Sequence, residues 1–229
     1  MDYRERVIVP LDVASWALAE KLVERLGPDL RWVKVGLELF SAAGPSAIRR
    51  LKKQGLKVMV DLKLHDIPQT VSRATAQLAS LGADAITVHA QGGRPMLEAA
   101  VAAAHGQGTR LWAVTVLTSL DDQLWGEIGY RDSAADSVRR LARLARASGC
   151  DGIVASGEEA KMVRQLTQGG FDIVTPGIRF VGDEPGDQRR TMDPAQALLA
   201  GATQLVIGRP ITASPDPASR LRQAQEAGL

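Results

Sequence analysis

The segment VDLKLHDIPQT, residues 60–70, brings Asp61, Lys63, His65 and Asp66 together at the end of an apolar run. Charges of both signs at that density have two uses. Opposite charges about 4 Å apart at an effective dielectric near 20 attract by roughly 4 kcal/mol, enough to hold both groups ionised against desolvation. Such a pair either closes the end of a strand as a salt bridge or forms part of a site that works on a charged ligand. Asp61 and Lys63 are two residues apart, so on an extended strand they point the same way. Lys34, near the end of the preceding apolar run, is placed to face them. For one lysine and one aspartate the salt bridge is the simpler reading. For two lysines with two or three aspartates, the functional reading gains. The histidines carry less. His65 reads as locally hydrogen-bonded and His89 as capping a strand end, and no His-x-x-x-His spacing marks a metal site.

The elements that must position these groups are legible as short β-branched runs. They cover Val7–Leu11, Trp32–Gly36, Lys57–Leu62, Ala85–His89, Leu111–Leu117, Gly152–Ser156, Asp172–Pro176 and Gln204–Gly208. Amphipathic stretches lie between them, among them SWALAEKLVERLG and ADSVRRLARLARASG. Several stop at a glycine (Gly27, Gly55, Gly82, Gly149), where a positive-φ cap costs least. Eight strands in 229 residues leave about 29 residues per unit, a normal spacing for parallel strands with crossover helices. A doubly wound sheet would announce itself with a glycine-rich turn after the first strand. That turn is LDVASW, without glycine. The expectation is an α/β protein, a (β/α)8 TIM barrel forming one domain over residues 1–229.

In a barrel, chemistry gathers at the C-terminal strand ends. Here those ends supply Asp12, Lys34, Asp61 with Lys63, His89, Thr118 with Ser119, and Gly208 with Arg209. The Thr118 and Ser119 hydroxyls either contact a ligand or cap the next helix. TPGIRF follows the seventh strand and IGRPIT the eighth, the usual location of a phosphate site in this fold. Gly208 lets backbone N–H groups approach an anion, and Arg209 offers a bidentate fork. The polar stretch VGDEPGDQRR, residues 181–190, reads either as a loop that folds over a ligand or as a plain solvated one.

Composition narrows the classes. Lysine and arginine number 28 against 26 aspartates and glutamates, too balanced for nucleic-acid or membrane binding by bulk charge. The single cysteine, Cys150, excludes an intrachain disulfide framework and reads as a small buried hydrophobe. MDYRERVIVPLD does not have the form of a signal peptide, and no apolar run approaches the roughly 18 residues needed to span a bilayer. A soluble cytoplasmic protein is expected.

With these residues assembled, the chain resembles the orotidine 5′-phosphate decarboxylase family along nearly its whole length. The resemblance rests on VPLD, VKVGLELF, VDLKLHDIPQTV, VTVLTS, TPGIR with GDQRR, and VIGRPIT. One departure is Gln69, where the family more often has Asn. The resemblance implies decarboxylation of orotidine 5′-monophosphate to UMP in de novo pyrimidine synthesis, with no cofactor and no metal. It implies that Asp12 and Lys34 bind ribose hydroxyls and that Asp61 lies beside the substrate carboxylate. Lys63 would be the proton donor within a Lys34/Asp61/Lys63/Asp66 charge network. Thr118 and Ser119 would meet the pyrimidine. Arg179, Gln188, Gly208 and Arg209 would hold the phosphate, with the Gln188 loop closing over it. Asp66 and Thr70 would reach the site of the partner subunit in a homodimer. Keto-gulonate-phosphate decarboxylases, which hold an enediolate on magnesium, share the Asp-x-Lys-x-x-Asp segment. Arg179, the Gln188 loop and the LKLHDIP context favour the nucleotide enzyme. A catalytically silent sensor on the same barrel would not need an aspartate beside an anionic ligand.

Overall fold

The computed structural model describes residues 3–167, 169–180, 182–183 and 191–227. Its strands are β1 Val7–Pro10, β2 Trp32–Gly36, β3 Lys57–Leu64, β4 Ala85–His89, β5 Arg110–Val114, β6 Gly152–Val154, β7 Asp172–Thr175 and β8 Gln204–Val206. All neighbours pair in parallel, in sequence order, and β8 returns to β1, so the sheet closes into the expected eight-stranded barrel. Around it run α1 Trp16–Leu26, α2 Leu37–Ala43, α3 Ser46–Lys53, α4 Pro68–Ser80, α5 Gly93–His105 and α6 Asp122–Glu127. They are followed by α7 Ala134–Ala147, α8 Gly157–Thr167, α9 Pro194–Leu199, α10 Arg209–Thr212 and α11 Pro217–Glu226.

The strands are apolar on both faces because both faces are covered. Val7, Val9, Val33 and Val35 point outward into the core shared with the helices. Ile8, Trp32, Met59, Ala85, Trp112 and Val174 point inward and fill the barrel itself. The Trp32 and Trp112 rings lie 5.8 Å apart, and the Trp112 indole N–H donates to Asp172 Oδ2 at 3.0 Å. This plug is the floor on which the upper end of the barrel is built.

Helix starts follow the local chemistry. Ser15, Asp121, Ser133, Asp193 and Asp216 each accept a backbone N–H of the first turn. Pro68 opens α4. Gly27, Gly55, Gly82 and Gly149 all have positive φ at the stops where glycine was expected. Cys150 is buried, and burial pushes its thiol up to about 12.

The strand ends differ from expectation in both directions. β5 stops at Val114 rather than Leu117, and β6 at Val154 rather than Ser156. Beyond β5, Val116 and Leu117 line the mouth. β3 runs on to Leu64, two residues further than the sequence indicates, but irregularly. Its pairing with β4 jumps from Val60–Ile86 to Leu64–Val88, so four steps on one strand face two on the other. The surplus of two residues falls within Asp61–Lys63, the segment with the charges. Lys63 has φ 50°, alone in positive φ among the described non-glycine residues. At that point of β3 the backbone is therefore not extended, although Asp61 and Lys63 both face the mouth as their spacing predicts. A lysine in this conformation costs on the order of 1 kcal/mol, strain of the kind that collects at functional sites.

Candidate active site

A cavity of about 390 Å³ opens at the C-terminal end of the barrel. Met59, Val114, Val154 and Val206 form its lower wall, continuous with the tryptophan plug. On the β1–β3 side stand Asp12, Lys34, Asp61 and Lys63. On the β7–β8 side stand Arg179, Gly208 and Arg209, with Thr118 and Ser119 from the end of β5 completing the wall.

The charged side chains form an unbroken alternating row. Lys34 Nζ donates to Asp12 Oδ1 at 3.0 Å and lies 3.4 Å from Asp61 Oδ2. Lys63 Nζ lies 3.0 Å from both oxygens of Asp61. Thr87, buried on β4, donates its hydroxyl to Asp61 Oδ1 at 2.9 Å and accepts the Lys63 backbone N–H at 3.0 Å. This hydroxyl occupies the gap in the ladder left by the surplus residues and fixes Asp61 and Lys63 together. Sequence reasoning missed it. Its only signal is a hydroxyl in the otherwise apolar run AITV.

Burial works against the charge on Asp61. The ammonium groups of Lys34 and Lys63, with hydrogen bonds from Lys63 and Thr87, outweigh it and hold the carboxyl below the usual carboxylate range. A depressed folded-state value contributes stability above the unfolded value of about 3.9, and the contribution disappears as pH falls through the lower folded value. The stability gap between wild type and Asp61→Asn is therefore expected to be widest near neutrality and to shrink below about pH 4. Urea midpoints of both proteins across that range check this. A gap independent of pH would mean that the Asp61 charge is not what the row stabilises.

The two histidines stay outside the row. His89 ends β4 with Nδ1 3.0 Å from Gln91 Oε1, and burial pushes its imidazole below its usual value, leaving it neutral at pH 7. The His65 ring packs on it at 5.5 Å between centroids, in place of the expected local hydrogen bond. The His65 side chain is exposed. The helix after β5 is capped by Asp121, so the Thr118 and Ser119 hydroxyls are not its cap and line the cavity instead.

Of the residues expected in the site, Asp12, Lys34, Asp61, Lys63, Thr118, Ser119, Arg179, Gly208 and Arg209 line this one cavity. Asp66 and Thr70 do not. Both are exposed at the start of α4, where Asp66 Oδ1 accepts the Ile67 N–H at 2.6 Å. Gln188 and most of the loop over 181–190 lie outside the described residues. The chain is steadied on either side of that loop. Ile178 bridges to Met192, and Arg220 of α11 binds Asp183 at 3.0 Å while its guanidinium stacks 4.2 Å over Phe180. Gly208 precedes Arg209 at the start of α10, and a Cβ there would stand 3.2 Å from Pro10, so glycine keeps β8 close to β1. Among the described residues, no group of three or more His, Cys, Asp or Glu is placed to hold a metal ion, and no helix is long and apolar enough to cross a membrane.

A closed parallel barrel with coupled charges and paired cation and hydroxyl walls at its C-terminal mouth defines a (β/α)8-barrel enzyme. Residues 5–224 match the model of a family described as orotidine 5′-phosphate decarboxylase / HUMPS family. An orotidine 5′-phosphate decarboxylase of Moorella thermoacetica is 50% identical over 97% of this chain and 91% of its own length. One from Nitrosococcus oceani is 47% identical over 96% and 95%. The crystal structure of orotidine 5′-phosphate decarboxylase from Lactobacillus acidophilus superposes with a TM-score of 0.86 at 38% identity, covering 98% of this chain and 99% of that one. The chain belongs to the orotidine 5′-phosphate decarboxylase / HUMPS family.

Proposed function

We propose that this chain decarboxylates orotidine 5′-monophosphate to UMP without a cofactor, as one catalytic barrel domain. The observation that carries the proposal is the row in which Asp61 sits between the ammonium groups of Lys34 and Lys63, inside the cavity that also holds Arg179 and Arg209. Loss of CO2 breaks the bond from C6 of the pyrimidine to its carboxylate and leaves the electron pair in an sp² orbital on C6. No resonance sink is at hand, so fixed charge must stabilise it. Lys63 is the ammonium placed to do so, and its Nζ proton forms the new C6–H bond. The amine is then reprotonated from solvent. Asp61 has two tasks: it holds Lys63 in place and it stands beside the departing carboxylate, raising the energy of the bound substrate relative to the transition state. Asp12 and Lys34 take the ribose hydroxyls, and Thr118 and Ser119 the pyrimidine. Arg179, Gly208 and Arg209 take the phosphate, together with Gln188.

The same reading makes the protein a cytoplasmic homodimer in which Asp66 and Thr70 serve the neighbouring cavity. It is supported by their exposure at the start of α4, away from their own cavity, and by Ile67 between them, an apolar side chain left 66% exposed. The test is turnover of orotidine 5′-monophosphate, followed by loss of absorbance and repeated with a chelator. A folded, dimeric protein without turnover would overturn the proposal, and turnover abolished by chelation would overturn its cofactor-free form.

Arg209→Ala tests the phosphate side. A charge-assisted hydrogen bond contributes about 1.5–3 kcal/mol, so UMP is expected to bind roughly 10- to 100-fold more weakly to the variant. Uridine, lacking the phosphate, should bind both proteins alike. Equal losses for nucleotide and nucleoside in calorimetry would place Arg209 elsewhere.

A further inference from the structure

Gly36 ends β2 two residues after Lys34 and pairs in register with Asp61, so its α-carbon faces the barrel mouth beside the charged row. A Cβ built there would lie 2.7 Å from Asp12 Oδ1 and 2.8 Å from Lys34 Nζ. Neither distance is compatible with a carbon atom in place. The volume that a side chain would fill is the volume in which the Asp12 carboxylate and the Lys34 ammonium meet. The backbone does not call for glycine, because φ −94° and ψ −172° are open to any L-residue. Packing does not call for it either, since the three atoms nearest to the added carbon all belong to Asp12 or Lys34.

We infer that Gly36 is a positioning residue, which by leaving this volume empty lets the single ammonium of Lys34 bridge Asp12 and Asp61. A methyl group at this position would push on the far ends of two flexible side chains. Asp12, whose side chain is half exposed, would swing toward solvent, and Lys34 would lose the first of its two carboxylates. The row would then be cut between β1 and β2 while the barrel stayed intact. The kinetic consequence rests on the decarboxylase reading, and the geometric one does not.

The experiment uses Gly36→Ala, Asp12→Ala and the double variant. Without any ligand, a crystal structure of Gly36→Ala should show Lys34 Nζ and Asp12 more than about 4 Å apart, beyond ion-pair range. The strands should superpose on wild type, and the thermal midpoint should stay within a few degrees. With orotidine 5′-monophosphate, kcat/KM of Gly36→Ala should fall about tenfold or more. In the Asp12→Ala background the same substitution should cost at least about threefold less than in wild type, because the Asp12–Lys34 link it breaks is already gone and only the push on Lys34 remains. A purely structural role would give equal losses in both backgrounds. Equal losses, an intact Asp12–Lys34 contact, or failure of Gly36→Ala to fold would each overturn the inference. If wild type itself does not turn over the substrate, the decarboxylase reading falls and the ligand-free structure still decides the role of Gly36.

Discussion

Lys63→Ala is expected to leave a folded barrel that binds UMP and has lost decarboxylation by several orders of magnitude. The two expectations have separate causes. The fold survives because Asp61 is not orphaned: Lys34 remains 3.4 Å away and the Thr87 hydroxyl still donates to it at 2.9 Å. Lys63 itself sits at the rim with its side chain 30% exposed, so truncation opens no sealed core cavity. Activity is lost because one group fills two roles. General acid catalysis is worth about 10²–10⁴-fold, and a charge aimed at a developing anion is of the order of another 10²–10³. UMP has no carboxylate at C6, so its binding does not draw on Lys63 in the same way. Calorimetry with UMP and a kcat measurement separate the two effects. Retention of more than about a tenth of wild-type kcat would end the assignment of Lys63 as proton donor.

The second large effect is a recovery. Asp66 is exposed on its own chain, with its carboxylate turned onto the Ile67 N–H, yet the proposed charge network includes it. The exposure and the proposed role are compatible if each cavity takes Asp66 from a two-fold partner. Lys63→Ala and Asp66→Asn are each expected to be nearly inactive. When they are mixed and allowed to exchange, about half of the dimers become heterodimers. Each heterodimer places both lesions in one cavity and leaves the other wholly wild-type. Activity should then rise to about a quarter of the wild-type value. If Asp66 acted within its own chain, every cavity would keep one lesion and nothing would be gained. Exchange confirmed by mass labelling without recovered activity would therefore sink the shared site.

The parts of the molecule legible in the sequence are those with a local signal. Strand positions follow from runs such as WVKVG and AITVH, whose apolar character reflects burial on both faces. Asp12, Lys34, Asp61, Lys63 and Arg209 follow from where charge interrupts those runs, because a charge at a strand's C-terminal end has little reason to be there in a purely structural barrel. What stayed hidden depends on pairing between distant segments. The surplus in β3 is defined only against β4, and Thr87 gains its role only from the ladder position that the surplus vacates. Gly36 is hidden for the opposite reason: its contribution is the volume it does not occupy. The two-residue spacing of Asp61 and Lys63 predicted their pairing from an extended strand, and Lys63 makes it with a left-handed backbone within β3.

The indole plug closes the barrel interior below the cavity. With Trp32, Met59 and Trp112 packed in the barrel interior, the cavity is floored among the described residues and opens at the mouth. On the proposed reading, substrate, both products and the solvent that replenishes the Lys63 proton would share that one doorway. A nucleotide seated, on that same reading, with its phosphate on Arg179 and Arg209 would be its own stopper, and reprotonation of Lys63 would wait for that stopper to leave.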